Sequence, residues 1–393
     1  MDRHRPIIVT GQQIGVGWTP ALSVVKALTA LALARHLGGE AVYWMADEDH
    51  DRLEVASTVA FEDERLVRHR FPFGAETGTA SGWLPWSESH QQLAEKLWGP
   101  LPAPDRPTLR DHVLTLGKPL WFRGLRFFSP TERTLRDSIQ PTLERWRTLD
   151  LEAALLKQAE RLEAEEFDCK LDPRLQAAWF SLEPRTGLRR RLEPGSPCPA
   201  GCWLSPGAAL RPLMQSLMLP VTHAILGPSE RAYWRLAEPL WERVDLTPPQ
   251  IVPRPTVFVL PPGLNLAPSQ LDALRAGYWE VFLSDAPTLP SQALTGQPDP
   301  AWGAGLGMRF RQELARSRHR LLKVDRRLYR DHVARVVGED PERLRQRLFP
   351  FGRPQERVLP GALWLRDEAL LDRILEALGT GENLVMVEAP TVP

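Results

Sequence analysis

The sequence has 393 residues and balances 49 Lys and Arg against 49 Asp and Glu, a formal net charge of +0. That balance removes any global attraction to nucleic acid or to an anionic membrane. No stretch approaches the roughly 18 consecutive apolar residues of a membrane helix. Three cysteines, Cys169, Cys198 and Cys202, are too few for a disulfide framework and suit a reducing compartment. Because the start, Met1-Asp2-Arg3-His4-Arg5, runs into a strand and not into a signal peptide, a cytoplasmic location is expected. The 38 prolines are scattered among hydrophobic runs, so they do not read as a disordered tract.

In chain order, Pro6-Ile7-Ile8-Val9 reads as a buried strand and is followed by the polar loop Thr10-Gly11-Gln12-Gln13. Thr19 and Pro20 predict an N-cap and first helical residue, and Gly38-Gly39 the end of that helix. Its expected buried face is Leu22, Val25, Leu28, Leu31 and Leu33, with Lys26 able to reach back toward the N-terminus. The loop is neither a P-loop nor G-x-G-x-x-G; it offers Gly11, Gly15 and Gly17 for close approach, two amide side chains, and a helix N-terminus suited to an anion. A second strand, Ala41-Val42-Tyr43-Trp44-Met45, leads to Asp47-Glu48-Asp49-His50-Asp51. A parallel βαβ unit places both post-strand loops on one sheet edge, so the two polar clusters should face one pocket.

From about Val67 to Trp203 the pattern reads as an insertion, with helices near Leu93–Trp98 and Leu135–Leu162 and a hairpin turning at Pro184-Arg185-Thr186-Gly187. Arg189-Arg190-Arg191 on its return strand reads as a solvated face. Cys198 and Cys202 have zinc-like spacing but lack a second pair, so no metal site is assigned. A second strand-loop-helix-strand unit follows: a helix at Leu210–Leu217, a strand at Val221–Leu226, a helix at Glu230–Val244 and a strand at Gln250–Val252. Its loops, Gly227-Pro228-Ser229-Glu230 and Pro253-Arg254, join the same edge if both units share one sheet. Near the C-terminus Leu314, Leu321 and Leu328 recur every seven residues with Val324, on a helix rich in arginine.

Plain structural roles compete for every one of these residues. Asp47 to Asp51 can cap a helix, His50 can be structural, Gln12 and Gln13 can brace their loop, Glu230 can be a first-turn charge and Arg254 half of an ion pair.

The ordered set Thr10-Gly11-Gln12-Gln13, Gly15, Pro20, Lys26, Trp44-Met45-Ala46 and Glu48-Asp49-His50-Asp51 resembles the bacillithiol biosynthesis cysteine-adding enzymes (BshC). Ser205-Pro206, Leu210 to Gln215, Leu219-Pro220, Gly227 to Glu230, Tyr233, Pro253-Arg254, Leu348-Phe349-Pro350, Gln355 to Leu359 and Leu365 continue the resemblance in order. The sequence departs from the family pattern in a shorter coiled-coil region, in Leu22 where a tyrosine is expected, and in Ser229 and Pro255.

The resemblance implies an α/β fold: a Rossmann-like parallel sheet core with a large insertion and a shortened, coiled-coil-like helical arm. Residues 1–66 and 205–285 would be the two halves of the core, 67–204 the insertion, 286–340 the arm, and 341–393 a segment packing back on the core. It implies a carbon-nitrogen ligase that adds L-cysteine to the amine of glucosaminyl malate, with ATP the expected activating cofactor. No nucleic acid or membrane is expected as a partner, and a weak homodimer is. His50, Asp49 and Gln13 are the expected catalytic residues; Gly11, Gln12, Lys26, Glu48, Asp51, Gln215, Gly227, Glu230, Tyr233 and Arg254 are expected to bind substrate or nucleotide. His50 would act as acid or base, or stabilise phosphate, and Glu48 would hold sugar hydroxyls. A nucleotidyltransferase, a metal-dependent hydrolase and a non-catalytic scaffold remain open alternatives.

Overall fold

A computed structural model describes residues 5–63, 65–169, 171–264, 266–276 and 294–390. The chain divides into two compact units, one formed by 1–258 with 356–387 and the other by 259–355 with 388–393.

The first unit is built on five parallel strands. In chain order they are β1 (Ile7–Gln12), β2 (Glu40–Met45), β5 (Leu125–Phe128), β9 (Val221–Leu226) and β10 (Gln250–Pro253), between which lie a hairpin of β3 (Ser57–Glu62) and β4 (Arg65–Arg70) and an antiparallel sheet of β6 (Trp179–Leu182), β7 (Arg189–Arg191) and β8 (Trp203–Pro206). The parallel sheet has the order β10-β9-β1-β2-β5. Counted as they appear in the chain, its strands stand 3-2-1-4-5 when read from the β5 edge, so the order reverses at β1 and β9. Open α/β sheets bind ligands in the crevice beyond the carboxyl ends at such a reversal.

Both halves anticipated from the sequence therefore share one sheet, and all four post-strand loops fall on one edge. The stretch 67–204 also supplies β5, an edge strand of that sheet, and so is not wholly an insertion. Four residues made this strand too short to stand out from its surroundings. The hairpin of β3 and β4 was likewise not anticipated.

The first helix, α1 (Leu22–Leu37), begins later than expected. Thr19 is not its N-cap: its hydroxyl is hydrogen-bonded to that of Thr58 at 2.8 Å, Thr19-Pro20 is cis, and Ala21 occupies the cap position. Val25, Leu28 and Leu31 are buried as expected, while Leu22 and Leu33 are only partly so. Ser23, Val24 and Ala27 are buried as well, because α1 lies between the sheet and the helix Glu368–Leu378. The other face of the sheet is covered by α6 (Arg133–Arg147), α7 (Leu151–Ala164), α8 (Arg211–Met218) and α9 (Pro228–Ala237), whose Leu143, Trp146, Leu155, Leu213 and Trp234 form one core with Val42, Trp44 and Leu226. The long segments read at Leu135–Leu162 and Glu230–Val244 are each broken into two helices.

The second unit contains the helices Pro268–Ala276 and Pro341–Leu348 and the 34-residue helix Ala304–Val337. On that long helix Leu314 and Leu321 are partly buried, whereas Val324 and Leu328 are exposed. Residues 277–285 of the expected second core half and 286–293 of the expected arm lie outside the described residues, as do 1–4 and 391–393.

Candidate active site

A cavity of about 210 Å³ opens at the strand-order reversal. Its apolar floor includes Val9, Trp44, Ala224, Leu226 and Trp234, and its polar wall includes Gln12, Gln13, Asp49, Glu54, Arg211, Gln215, Glu230 and Tyr233. The floor comes from the carboxyl halves of β1, β2 and β9 and from Trp234 of α9. The wall comes from the end of β1, the loops after β1 and β2, the short helix Arg52–Ala56, α8 and α9. This is the pocket that a shared post-strand edge requires.

One connected polar chain crosses beneath it. Lys26, 1% exposed, donates from Nζ to the Gly11 carbonyl at 2.8 Å and to Gln12 Oε1 at 2.9 Å, and lies 2.6 Å from Glu230 Oε2. Gln12 Nε2 in turn donates to Glu54 Oε1 at 3.0 Å. Burial holds the Lys26 pKa below its usual value, against the pull of Glu230. Lys26 was expected to supply a donor to a ligand, but its hydrogen bonds are spent inside the protein. Glu230 serves two ends: it accepts the Gly227 amide at 2.8 Å, closing the first turn of α9, and it lines the cavity. Gly227 reaches the site only through that contact. Tyr233 beside it keeps its proton, since burial and then the Glu230 carboxylate push its pKa upward.

The glycines of the first loop serve the protein's own packing. Gly11 pairs with Trp44 across the strands, where an added Cβ would come within 2.6 Å of the Trp44 carbonyl oxygen. Gly17, at φ +60°, leaves room for the Trp98 ring, which would lie 2.5 Å from a Cβ there. Nor is the start of α1 open to an anion, because the Ala21 amide donates to the Leu359 carbonyl.

The acidic run after β2 is divided among different tasks. Asp47 and Glu48 are fully buried. Asp47 pairs with Arg110 at 2.7 Å and accepts from Ser129; Glu48 pairs with buried Arg136 at 3.0 Å, accepts from Ser205 at 3.0 Å and lies 3.6 Å from Arg211. The expectation that Glu48 holds sugar hydroxyls is therefore corrected: it has no access to the cavity. Asp51 caps α2 (Arg52–Ala56) by accepting from the amides of Leu53 and Glu54, the plain structural role, and in doing so fixes where Glu54 stands. Gln13 braces that turn by donating to the Asp51 carbonyl at 3.2 Å while lining the cavity.

Asp49 is the member of the run that faces the cavity. Arg211 reaches its Oδ2 at 2.8 Å and Arg189 its Oδ1 at 3.6 Å, and the two guanidinium groups outweigh burial to hold its pKa well below the usual carboxylate range. Asp49 is thus ionised and saturated, a poor base. His50 stands outside the cavity wall, its Nδ1 3.3 Å from Arg189 and its ring edge-on to Phe180. Burial and then Arg189 lower its pKa, so it is neutral near pH 7.

Arg254 was expected to bind ligand. Instead its Nη1 is held by Glu356 Oε1 at 2.6 Å and by the Pro255 carbonyl, with Glu356 fully buried and also accepting the Val257 amide. Gln215 does line the cavity.

Arg189, Arg211 and Glu54 were given no site role from the sequence. Arg189 lay in a run read as solvated, yet only its neighbours Arg190 and Arg191 are exposed. For Glu54 a signal existed, since Asp51-x-x-Glu54 is a capping pattern that marks a helix start turned toward the loop. Among the described residues no three His, Cys, Asp or Glu side chains converge as a metal ion would need, and Cys169, Cys198 and Cys202 are free.

Known proteins share the segments that build this cavity. The model for the N-terminal Rossmann-like domain of bacillithiol biosynthesis BshC matches residues 2–106 and 201–255, which supply β1, β2, β9 and β10. The chain is 29% identical over 436 residues to a Thermus thermophilus protein named "Putative cysteine ligase BshC", covering 94% of this chain and 86% of that protein. An equally named protein of Chlorobaculum tepidum is 24% identical over 440 residues, covering 90% and 77%.

Proposed function

Because the chain belongs to the BshC family, we propose that it is a carbon-nitrogen ligase of bacillithiol biosynthesis, joining the carboxyl of L-cysteine to the amine of glucosaminyl malate. The observation that carries this reading is that the two ordered motif sets, Thr10 to Gln13 and Gly227 to Tyr233, meet across one cavity at the strand-order reversal.

The chemistry asks for a base near the amine and for donors to the carboxyl oxygens. Glu54 suits the first task. It is the carboxylate of the cavity wall for which the described residues give no cationic partner at ion-pair distance, and its side chain accepts from the Gln12 amide. Its place in the recess, reinforced by Asp49 and Asp51 against the Gln12 bond, raises its pKa and makes it a better proton acceptor from an ammonium. The freed amine would attack the acyl carbon, the new C–N bond forming as the activated carboxyl loses its leaving group. Tyr233 and Arg211 are placed to donate to oxygens, and the apolar floor to exclude water.

A carboxylate and an amine do not condense unaided in water, so the carboxyl must enter this step already activated, and ATP is the activating cofactor proposed. This cavity is not assigned as the site of its triphosphate, because Asp49, Glu54 and Glu230 line it, Lys26 is committed and the start of α1 is closed, and no step is routed through the nucleotide. A weak homodimer also belongs to the proposal.

The test is mass-spectrometric detection of the thiol product from purified protein with glucosaminyl malate, cysteine and ATP. Product that depends on cysteine and is absent with alanine supports the reading. Equal turnover of alanine, or no product with folded protein, overturns it.

A further inference from the structure

We propose that Arg189 is a positioning residue that fixes His50 as its Nε2–H tautomer, so that the ring presents a hydrogen-bond donor, and not a base, on the side away from Arg189. What His50 donates to rests on the ligase reading; which nitrogen carries the proton does not.

A guanidinium has five N–H donors and no acceptor. With Arg189 Nη1 3.3 Å from His50 Nδ1, that nitrogen must present its lone pair, and the ring proton of a neutral imidazole then sits on Nε2. Arg189 cannot easily turn away. Its side chain is 2% exposed, Nη2 donates to the Pro206 carbonyl at 2.8 Å, and its guanidinium lies 3.9 Å over the Phe180 ring. The same Phe180 ring lies 5.5 Å from the imidazole, so one aromatic side chain of β6 sets both partners.

The opposite tautomer would direct Nδ1–H to Asp49, whose Oδ1 is 3.9 Å away. That oxygen is already occupied by the His50 amide at 2.9 Å and faces Arg189 at 3.6 Å. Asp49 and Asp51 favour a charged imidazole, while burial, Arg189 and Arg211 disfavour it more. His50 therefore stays neutral with its donor end directed away from Arg189. Three elements meet at this point: the loop after β2 carries the ring, β7 the tautomer lock and α8 the second cation. Arg189 retains its own charge, since burial lowers its pKa only to about 10.

The experiment is long-range ¹H–¹⁵N correlation on histidine-labelled protein, with His50→Gln identifying the His50 signals among the nine histidines. Expected between pH 6 and 8 is an unprotonated Nδ1 and a protonated Nε2. A proton on Nδ1, or an imidazolium at pH 7, overturns the inference from the native protein alone. Arg189→Met should give mixed or Nδ1–H tautomers and a higher His50 pKa, and Arg189→Lys, which still donates, should restore the Nε2–H signature. Spectra unchanged in folded Arg189→Met remove Arg189 as the cause. Absence of ligase product with the tautomer pattern intact would discard the ligase reading and leave the Arg189 assignment standing.

Discussion

Lys26 Nζ and Glu230 Oε2 lie 2.6 Å apart, an ion pair that ties the helix after β1 to the helix after β9 under the cavity. Replacing Lys26 with Met keeps the aliphatic stem but strips the Gly11 carbonyl, Gln12 and Glu230 of their shared donor. A loss of about 2–4 kcal/mol is expected, because the partners are left buried or partly buried without compensation. Urea unfolding measures it, and Glu230→Gln in the Lys26→Met background should recover part of the loss. A change below about 0.5 kcal/mol would show the pair to be energetically idle.

Glu54→Gln should lower turnover by about 10²–10⁴-fold, the range for a lost general base. Since Glu54 as a residue is exposed and only its carboxyl end is recessed in the cavity wall, the melting temperature should hardly move. With the carboxyl pKa raised, activity of the native enzyme should fall with acid at a pH above the ordinary carboxylate range. A pH profile of kcat/KM checks both points, and an unchanged acid limb in the Gln variant would transfer the role elsewhere.

His112 gives the fold an acid-sensitive point away from the cavity. It is fully buried, stacks on Trp86 at 3.6 Å, and among the described residues neither ring nitrogen has a hydrogen-bonding partner, so burial depresses its pKa to about 3. The unfolded chain takes up a proton near pH 6.5 while the folded chain resists it down to about 3. This contribution is present above pH 6.5 and is lost as pH falls through that window, on the order of 5 kcal/mol in total. His112→Phe should therefore flatten the decline in stability between pH 7 and 4, which thermal melts at several pH values will show. A decline equally steep in the variant would assign it to other groups.

On the helix Ala304–Val337, Val324 and Leu328 are exposed beside partly buried Leu314 and Leu321. A stripe of about two heptads buries little apolar surface, so self-association should be weak. Light scattering should give a mass above one 44.4 kDa chain only at high micromolar concentration, and Leu321→Arg should abolish the increase. A constant single-chain mass rules out the dimer; a dimer that survives Leu321→Arg rules out this helix as its seat.

The sequence by itself determined the strands β1, β2, β9 and β10, the loops at their carboxyl ends, and the convergence of those loops on one crevice. These follow from runs of apolar residues, turn signals and the handedness of parallel connections, all of which are local or nearly so. Gln12, Gln13, Asp49, Glu230 and Tyr233 line the cavity for that reason, while Gln215 reaches it from α8. What only the tertiary structure decided was which charges remain open to a ligand. Arg211 and Asp49 are 162 positions apart, and Arg189 and His50 are 139 apart. Patterning reports whether a side chain faces the core or solvent; it carries no record of the partner that will neutralise a charge there. Lys26, Glu48 and Arg254 look like free site charges in a linear reading and prove committed, whereas Arg189 looks solvated and proves buried. The cost of burying an unpaired charge enforces those pairings, and it acts only once the chain has closed.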